Sequence, residues 1–441
     1  MRIEDLVLVS VDDHVVEPPT LFDRHLPARY RDRAPHVITT AKGENMWIYE
    51  GQLRPNVGLN AVAGRPPEEY GYEPTSFAQM RRGCWDVHER IRDMNVNGVL
   101  ASMCFGSFPS FCGKLWAMAK DKELALVMLR AYNDWHIDEW CGAYPGRFIP
   151  LAQLPLWDIG LMAEEVRRVA ARGCRAVAFL ENPTNVGLPS VHAEAWDPFW
   201  KACCDESVVV CIHIGSAGSP APPSMDAPVE TIMAGVPIGT FHCAVDLVYS
   251  RVLRQFPDLR IALSEGGIGW IPYFLDRIDY IYERHHAWTH QDFGTHKPSD
   301  LFRRHFLTCF IDDPVGLKLR HDIGVDNISW ECDYPHSDST WPQAPERLMQ
   351  SLAGVSDAEI DKITHANALR WFQLDPFATL GGRDQCNVGA LRAQARDVDL
   401  SLLRSGGGKP PIEGTPRPVT AGDAMRQLAT ALDGQPTAKS L

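Results

Sequence analysis

Short apolar, β-rich runs alternate with helical patterns along most of this chain, and that alternation constrains the fold more than any other feature. The runs cover residues 6–12, 99–105, 148–153, 175–180, 208–213, 260–264, 305–310 and 327–332. Segments 86–94, 115–140, 159–172, 196–206, 241–256, 270–283, 314–322 and 344–352 follow them and repeat apolar residues with a helical period. Strands alternating with helices read as parallel strands joined by crossovers. Runs that are apolar throughout suit strands buried on both faces. Eight such units predict an α/β protein with a closed (β/α)8 TIM barrel rather than an open sheet.

The barrel is expected over residues 1–380. Residues 18–83, aromatic and rich in Pro and Gly, separate strand one from the first helix and read as an insertion covering the barrel mouth. Residues 215–239 form a long loop after strand five, suited to a lid. Residues 381–441 read as a flexible C-terminal extension, with a Gly/Pro-rich linker at 405–419.

A formal net charge of −13 argues against nucleic acid, which needs a cationic face. The 12 cysteines show no CxxC pair and sit mainly in apolar stretches, as reduced thiols do. The first residues lack the basic start and apolar run of a signal peptide. No run approaches the roughly 20 apolar residues of a spanning helix. The expectation is a cytoplasmic protein acting on a small-molecule substrate, with neither nucleic acid nor membrane as partner; a homo-oligomer is left open.

In a (β/α)8 barrel the strand C-termini meet at one face, where catalytic groups sit. Strand one ends in Asp12-Asp13-His14, strand four in Glu181, strand five in His213, strand six in Glu265 and strand eight in Asp333, with His336 three residues on. Asp12 and His14, two apart, project to one side of an extended backbone. Unpaired carboxylates packed together are costly to desolvate, and divalent cations remove that cost. A single catalytic zinc takes about three protein ligands. The six residues Asp12, His14, Glu181, His213, Glu265 and Asp333 therefore suggest two ions, bridged by Glu181 or Glu265. Glu265 has a competing reading as a cap for the helix near Trp270, and Asp13 reads as a solvated neighbour. Trp85 and Trp270 are candidate substrate-pocket residues, as is His336.

These residues, with the stretches VDDHVVEPP, CIHIGS, LSEGGIGWIPYFLDR and WECDYPHSDSTWP, resemble the amidohydrolase-related group. This is the branch of the amidohydrolase superfamily that includes the aminocarboxymuconate semialdehyde decarboxylase-like enzymes. The resemblance implies a barrel with metal ligands after strands one, five, six and eight, His213 and Asp333 among them, and Asp333 handling a proton. Two positions depart from the pattern: the strand-one HxH is Asp12-x-His14, and the strand-six His is Glu265. Hard oxygen ligands favour iron or manganese over zinc.

Two reactions fit. One is metal-assisted hydrolysis or non-oxidative decarboxylation of a hydrophobic or aromatic acid-like substrate, with Asp333 and His336 as catalytic residues. The other is oxygen chemistry: two His and four carboxylates are also the inventory of di-iron carboxylate proteins. A monooxygenase of this kind needs an external reductase or ferredoxin. A metal-binding protein without catalysis is the third reading, and it predicts closed coordination with no pocket.

Overall fold

In the computed structural model, residues 1–54, 57–71, 74–218, 222–404, 417–424 and 426 are described. Strands β1 (Leu8–Val15), β2 (Val99–Gly106), β3 (Phe148–Ile149 and Leu151–Ala152), β4 (Ala176–Phe179), β5 (Val209–His213), β6 (Arg260–Ser264), β7 (Phe306–Phe310) and β8 (Ile328–Trp330) run parallel, each beside the next. Pro150, with no N–H to give the ladder, divides β3. The chain beyond β8 then meets β1: Asp333 N donates to Asp12 O at 2.9 Å and His14 N to Tyr334 O at 2.7 Å. These bonds bring the two ends of the sheet together, as the (β/α)8 barrel requires.

The crossover helices are α1 (Val87–Asn97), α2 (Lys122–Trp135), α3 (Ile159–Ala170), α4 (Asp197–Asp205), α5 (Pro237–Tyr249), α6 (Ile271–Thr289), α7 (Pro314–Lys318) and α8 (Ala344–Ser351). Asp86, Asp121, Asp158 and Asp313 start α1, α2, α3 and α7 by accepting first-turn amides. The Asp121 cap explains why the single helix expected over 115–140 is split: Lys114–Met118 ends before it and α2 begins after it.

The insertion at 18–83 carries a small antiparallel sheet of His36–Thr39, Asn45–Tyr49 and Gln52–Arg54. Val62 N and Ala63 N both donate to Pro335 O at 3.0 Å, which seats the insertion on the loop beyond β8 at the barrel mouth.

Two expectations need correction. The described parts of the C-terminal extension are packed rather than detached. Cys386, Val388, Leu391 and Ala395 are buried, and Val388 N donates to Leu6 O at 2.8 Å. Further on, Val229 N donates to Val419 O and Ala421 N to Ala227 O, pinning 417–424 onto the loop after β5. Residues 405–416, most of the expected linker, lie outside the described residues, as do 427–441. Secondly, one helical run, Glu230–Tyr249, is long and apolar enough to cross a membrane by length and composition, where no such run was expected. In this fold it contains α5, which buries Cys243, Ala244, Leu247 and Val248.

The packing of the extension predicts that Leu391→Ala costs about 2–5 kcal/mol in a denaturant melt. The exposed Leu402→Ala should change stability by less than about 0.5 kcal/mol.

Candidate metal centre and active site

The strand ends bring imidazoles and carboxylates together without a basic side chain among them. His14 Nε2 lies 3.1 Å from Asp333 Oδ1 and 3.6 Å from Asp12 Oδ1. His213 Nε2 lies 2.8 Å from Glu265 Oε2, 3.6 Å from Asp12 Oδ2 and 3.3 Å from His14 Nε2. His336 Nδ1 stands 3.0 Å from Asp333 Oδ1, and its ring stacks on His14 at 3.7 Å. Asp12, His14 and Asp333 are fully buried, and Glu265 is largely so. Among the described residues, the ion pairs of Asp12, Glu265 and Asp333 are all with these imidazoles.

Local backbone geometry aims the acids. Glu265 and Asp333 take φ of +63° and +57°, a left-handed conformation that costs energy outside glycine. Surrounding hydrogen bonds hold it. Glu265 N donates to Glu331 Oε2 at 3.1 Å, and Trp270 Nε1 donates to Gly266 O and Gly267 O. Asp313 Oδ2 accepts from Ile268 N and Gly269 N.

This donor set fits a divalent cation. His213 Nδ1 lies 2.6 Å from Ile214 O, and a carbonyl only accepts, so a proton sits on Nδ1 and Nε2 is the nitrogen whose lone pair a cation would use. That lone pair faces a carboxylate oxygen and a second Nε2. Both oxygens of Asp12 and of Asp333 are buried with no hydrogen-bond donor. Burial, then Glu331, Glu265 and Asp333, push Asp12 far above the usual carboxylate range. Burial, then His336 and His213, hold His14 well below the usual imidazole range. Imidazole nitrogens and acceptor oxygens converging in a dry space could hold a divalent cation.

Of the residues singled out from sequence, Asp12, His14, His213, Glu265, Asp333 and His336 meet. Their atoms form two overlapping groups: His14, Glu265, Asp333 and His336, and Asp12, His14 and His213. The expected cap role of Glu265 is not seen, since α6 starts at Trp270 without a side-chain cap bond.

Glu181 stands outside both groups. Its amide is tied to Ser216 Oγ and its carboxyl lies beside α5, where a Cβ on Gly239 would come within 2.7 Å of Oε1. It lines a cavity of about 540 Å³ with Asn182, Val236, Ile238, His242 and Asp246, and burial pushes its carboxyl up to about 7. Trp85 and Trp270 do not line this cavity. Trp85 packs edge-on to Phe77, and Trp270 braces the Glu265 turn against Phe241 and Phe274. Asp13 is not solvated: it is buried and accepts from Ser10 Oγ, Ser102 Oγ and Tyr334 N.

Two neighbours of the site escaped the sequence reading. Glu331 is buried, and its Oε2 also accepts from Cys309 Sγ. It lies past β8 in a run that reads as apolar, and it reaches the site through Glu265 N rather than by strand alternation, since Asp333 beyond it has a left-handed backbone. Phe111 lies against His213 and His14, with ring centroids 4.1 and 5.1 Å away, and nothing in its local sequence marks it.

The sequence matches the amidohydrolase family over residues 22–374, and the chain belongs to that family, among its metal-dependent hydrolases and carboxy-lyases. It is 27% identical over 280 residues to a gamma-resorcylate decarboxylase of Rhodococcus jostii, covering 58% of this chain and 79% of that one. It is 23% identical over 315 residues to a 2-amino-3-carboxymuconate-6-semialdehyde decarboxylase of Caenorhabditis elegans, covering 59% and 74%. An amidohydrolase from Mycobacterium avium subsp. paratuberculosis shares the fold with a TM-score of 0.63 at 20% identity, over 83% of this chain and 99% of that one. A dihydroxybenzoic acid decarboxylase from a Polaromonas species, with bound manganese and 2-nitroresorcinol, has a TM-score of 0.56 at 18% identity, over 83% and 97%.

His213→Ala should abolish metal retention through desalting, while the exposed His290→Ala keeps the wild-type content by elemental analysis. Equal metal in both variants contradicts the site.

Proposed function

We propose that this protein is a metal-dependent non-oxidative decarboxylase of small aromatic acids. The observation that carries the reading is the convergence of His14, His213, Asp12, Glu265 and Asp333 on one buried point with no basic side chain pairing the acids. Relatives named as decarboxylases of hydroxylated benzoic acids support the substrate class.

His14, His213, Asp12 and Asp333 would hold the ion, with Glu265 beside them. Both donor groups draw on His14, whose Nε2 has one lone pair. The arrangement therefore favours one ion over the two expected from a count of ligands. The oxygen-rich set and the manganese of the Polaromonas enzyme favour manganese. When bound, the ion supplies a Lewis acid that neutralises the substrate carboxylate and holds it in place.

The protein's own groups do the rest. His336 Nδ1 stands 3.0 Å from Asp333 Oδ1 at the edge of the metal donors, close enough for one of the two to deliver a proton to the substrate. Transfer of that proton to the ring carbon bearing the carboxylate lets the carbon–carbon bond break, the bonding pair returning to the ring as carbon dioxide leaves. Phe111 and the stacked His336 and His14 rings shield this step from water.

The carboxylate count keeps the di-iron oxygenase as a second reading, because Glu331 adds another acid behind the site. One comparison separates the two. Manganese-loaded protein should release carbon dioxide from a dihydroxybenzoate, and Asp333→Asn should slow this at least about 10²-fold, the usual share of a general acid. Iron-loaded protein that consumes oxygen with a reductant, and releases no carbon dioxide from ortho-hydroxylated benzoates, would establish the oxygenase instead.

A further inference from the structure

The loop at 107–113 lies over the metal donors, and a buried acid outside the metal site holds it. Glu17 is 1% exposed. Its two oxygens accept from consecutive loop amides, Ser107 N to Oε1 at 3.0 Å and Phe108 N to Oε2 at 2.7 Å. Tyr132 Oη adds a third donor at 3.2 Å, and Ser107 Oγ donates to Val15 O. The approach is close: a Cβ on Gly106 would come within 2.8 Å of Glu17 Oε1. The loop's far end is tied down by Gln153 Nε2, which donates to Ser110 O. Phe108 stacks on Trp47 of the insertion at 4.3 Å, and Phe111 lies on the imidazoles. The carboxylate thus stands at the root of a loop whose tip covers the site.

We propose that Glu17 is a positioning residue that anchors residues 107–113 so that Phe111 covers His213 and His14, and that the Phe111 ring is the face on which a substrate's aromatic ring stacks. The stacking role rests on the decarboxylase reading; the covering of the imidazoles does not. The chemistry selects a flat aromatic ring, since offset stacking against Phe111 at the imidazoles rewards planarity. The two amides reach separate oxygens of Glu17, and a glutamine there would present one acceptor oxygen and one NH2 group.

The test measures carbethoxylation of His213 by diethyl pyrocarbonate, read by peptide mass spectrometry on the full-length, chelator-treated chain at pH 7.5. Glu17→Gln is nearly isosteric but strands one loop amide, and Phe111→Leu removes the cover. Each should raise the His213 labelling rate by about tenfold or more, the factor a hydrogen bond to a charged acceptor represents. The double variant should label no faster than Phe111→Leu alone, because both substitutions open the same cover. His136, fully buried in the extension of α2, should stay unlabelled throughout. Unchanged labelling in either variant, multiplicative effects in the double variant, or labelling of His136 alongside His213 in Glu17→Gln would each overturn the proposal. With a dihydroxybenzoate substrate, Glu17→Gln should raise KM more than it lowers kcat. Absence of turnover in wild type removes the decarboxylase reading, while the labelling still decides the cover.

Discussion

Acidic side chains removed from water must find compensation, and at this barrel mouth the protein supplies almost none of its own. Asp12 and Asp333 are buried with no hydrogen-bond donor on either oxygen, and Glu265 faces an imidazole whose proton is committed elsewhere. An isolated buried carboxylate costs several kcal/mol even after relaxation. The buried Arg90 directs its donors to Gly83 O, His14 O and Cys104 Sγ rather than to these acids. A divalent cation resolves every one of these deficits together. The strained backbone at Glu265 and Asp333, the braced turn at Trp270 and the closing bonds between β1 and the chain after β8 all hold these candidate ligands in place.

The scaffold explains why the ligands come from such distant parts of the sequence. Asp12 and His14 lie in the C-terminal half of β1, His213 ends β5, Glu265 directly follows β6, and Asp333 lies three residues past β8, all towards the one face where parallel barrel strands end. The apolar strands keep water out, and the loop and insertion above close over the remaining face. Phe111 makes that cover aromatic above the His14 and His213 rings, and Phe105 packs beside the same two rings from within β2.

Much of this was legible in the sequence because strand runs and their terminal residues are local signals. Asp12, His14, His213, Glu265 and Asp333 were found by asking what each apolar run ends with. Glu181 satisfied the same rule and yet turned aside, because Gly239 leaves room for its carboxyl beside α5; no local pattern reports a neighbour nearly 60 positions away. Glu331 was masked by the apolar residues around it. Trp85 and Trp270 were candidates by residue type alone, and each is committed to packing or to bracing a turn. Glu17 and Phe111 act through contacts made only by the folded chain. The C-terminal residues after 380 looked detachable from their composition, but Val388 and Leu391 carry an apolar stripe that the barrel buries.

Anomalous diffraction at the manganese edge, from crystals of the full chain grown with manganese, separates a metal centre built of these buried imidazoles and carboxylates from a hydrogen-bonded polar core. A metal centre gives a peak within about 2.5 Å of His14 Nε2, His213 Nε2 and an Asp333 oxygen, within the range of first-row metal–ligand bonds. A map with no peak there, and with protons or waters bridging these side chains instead, would contradict it.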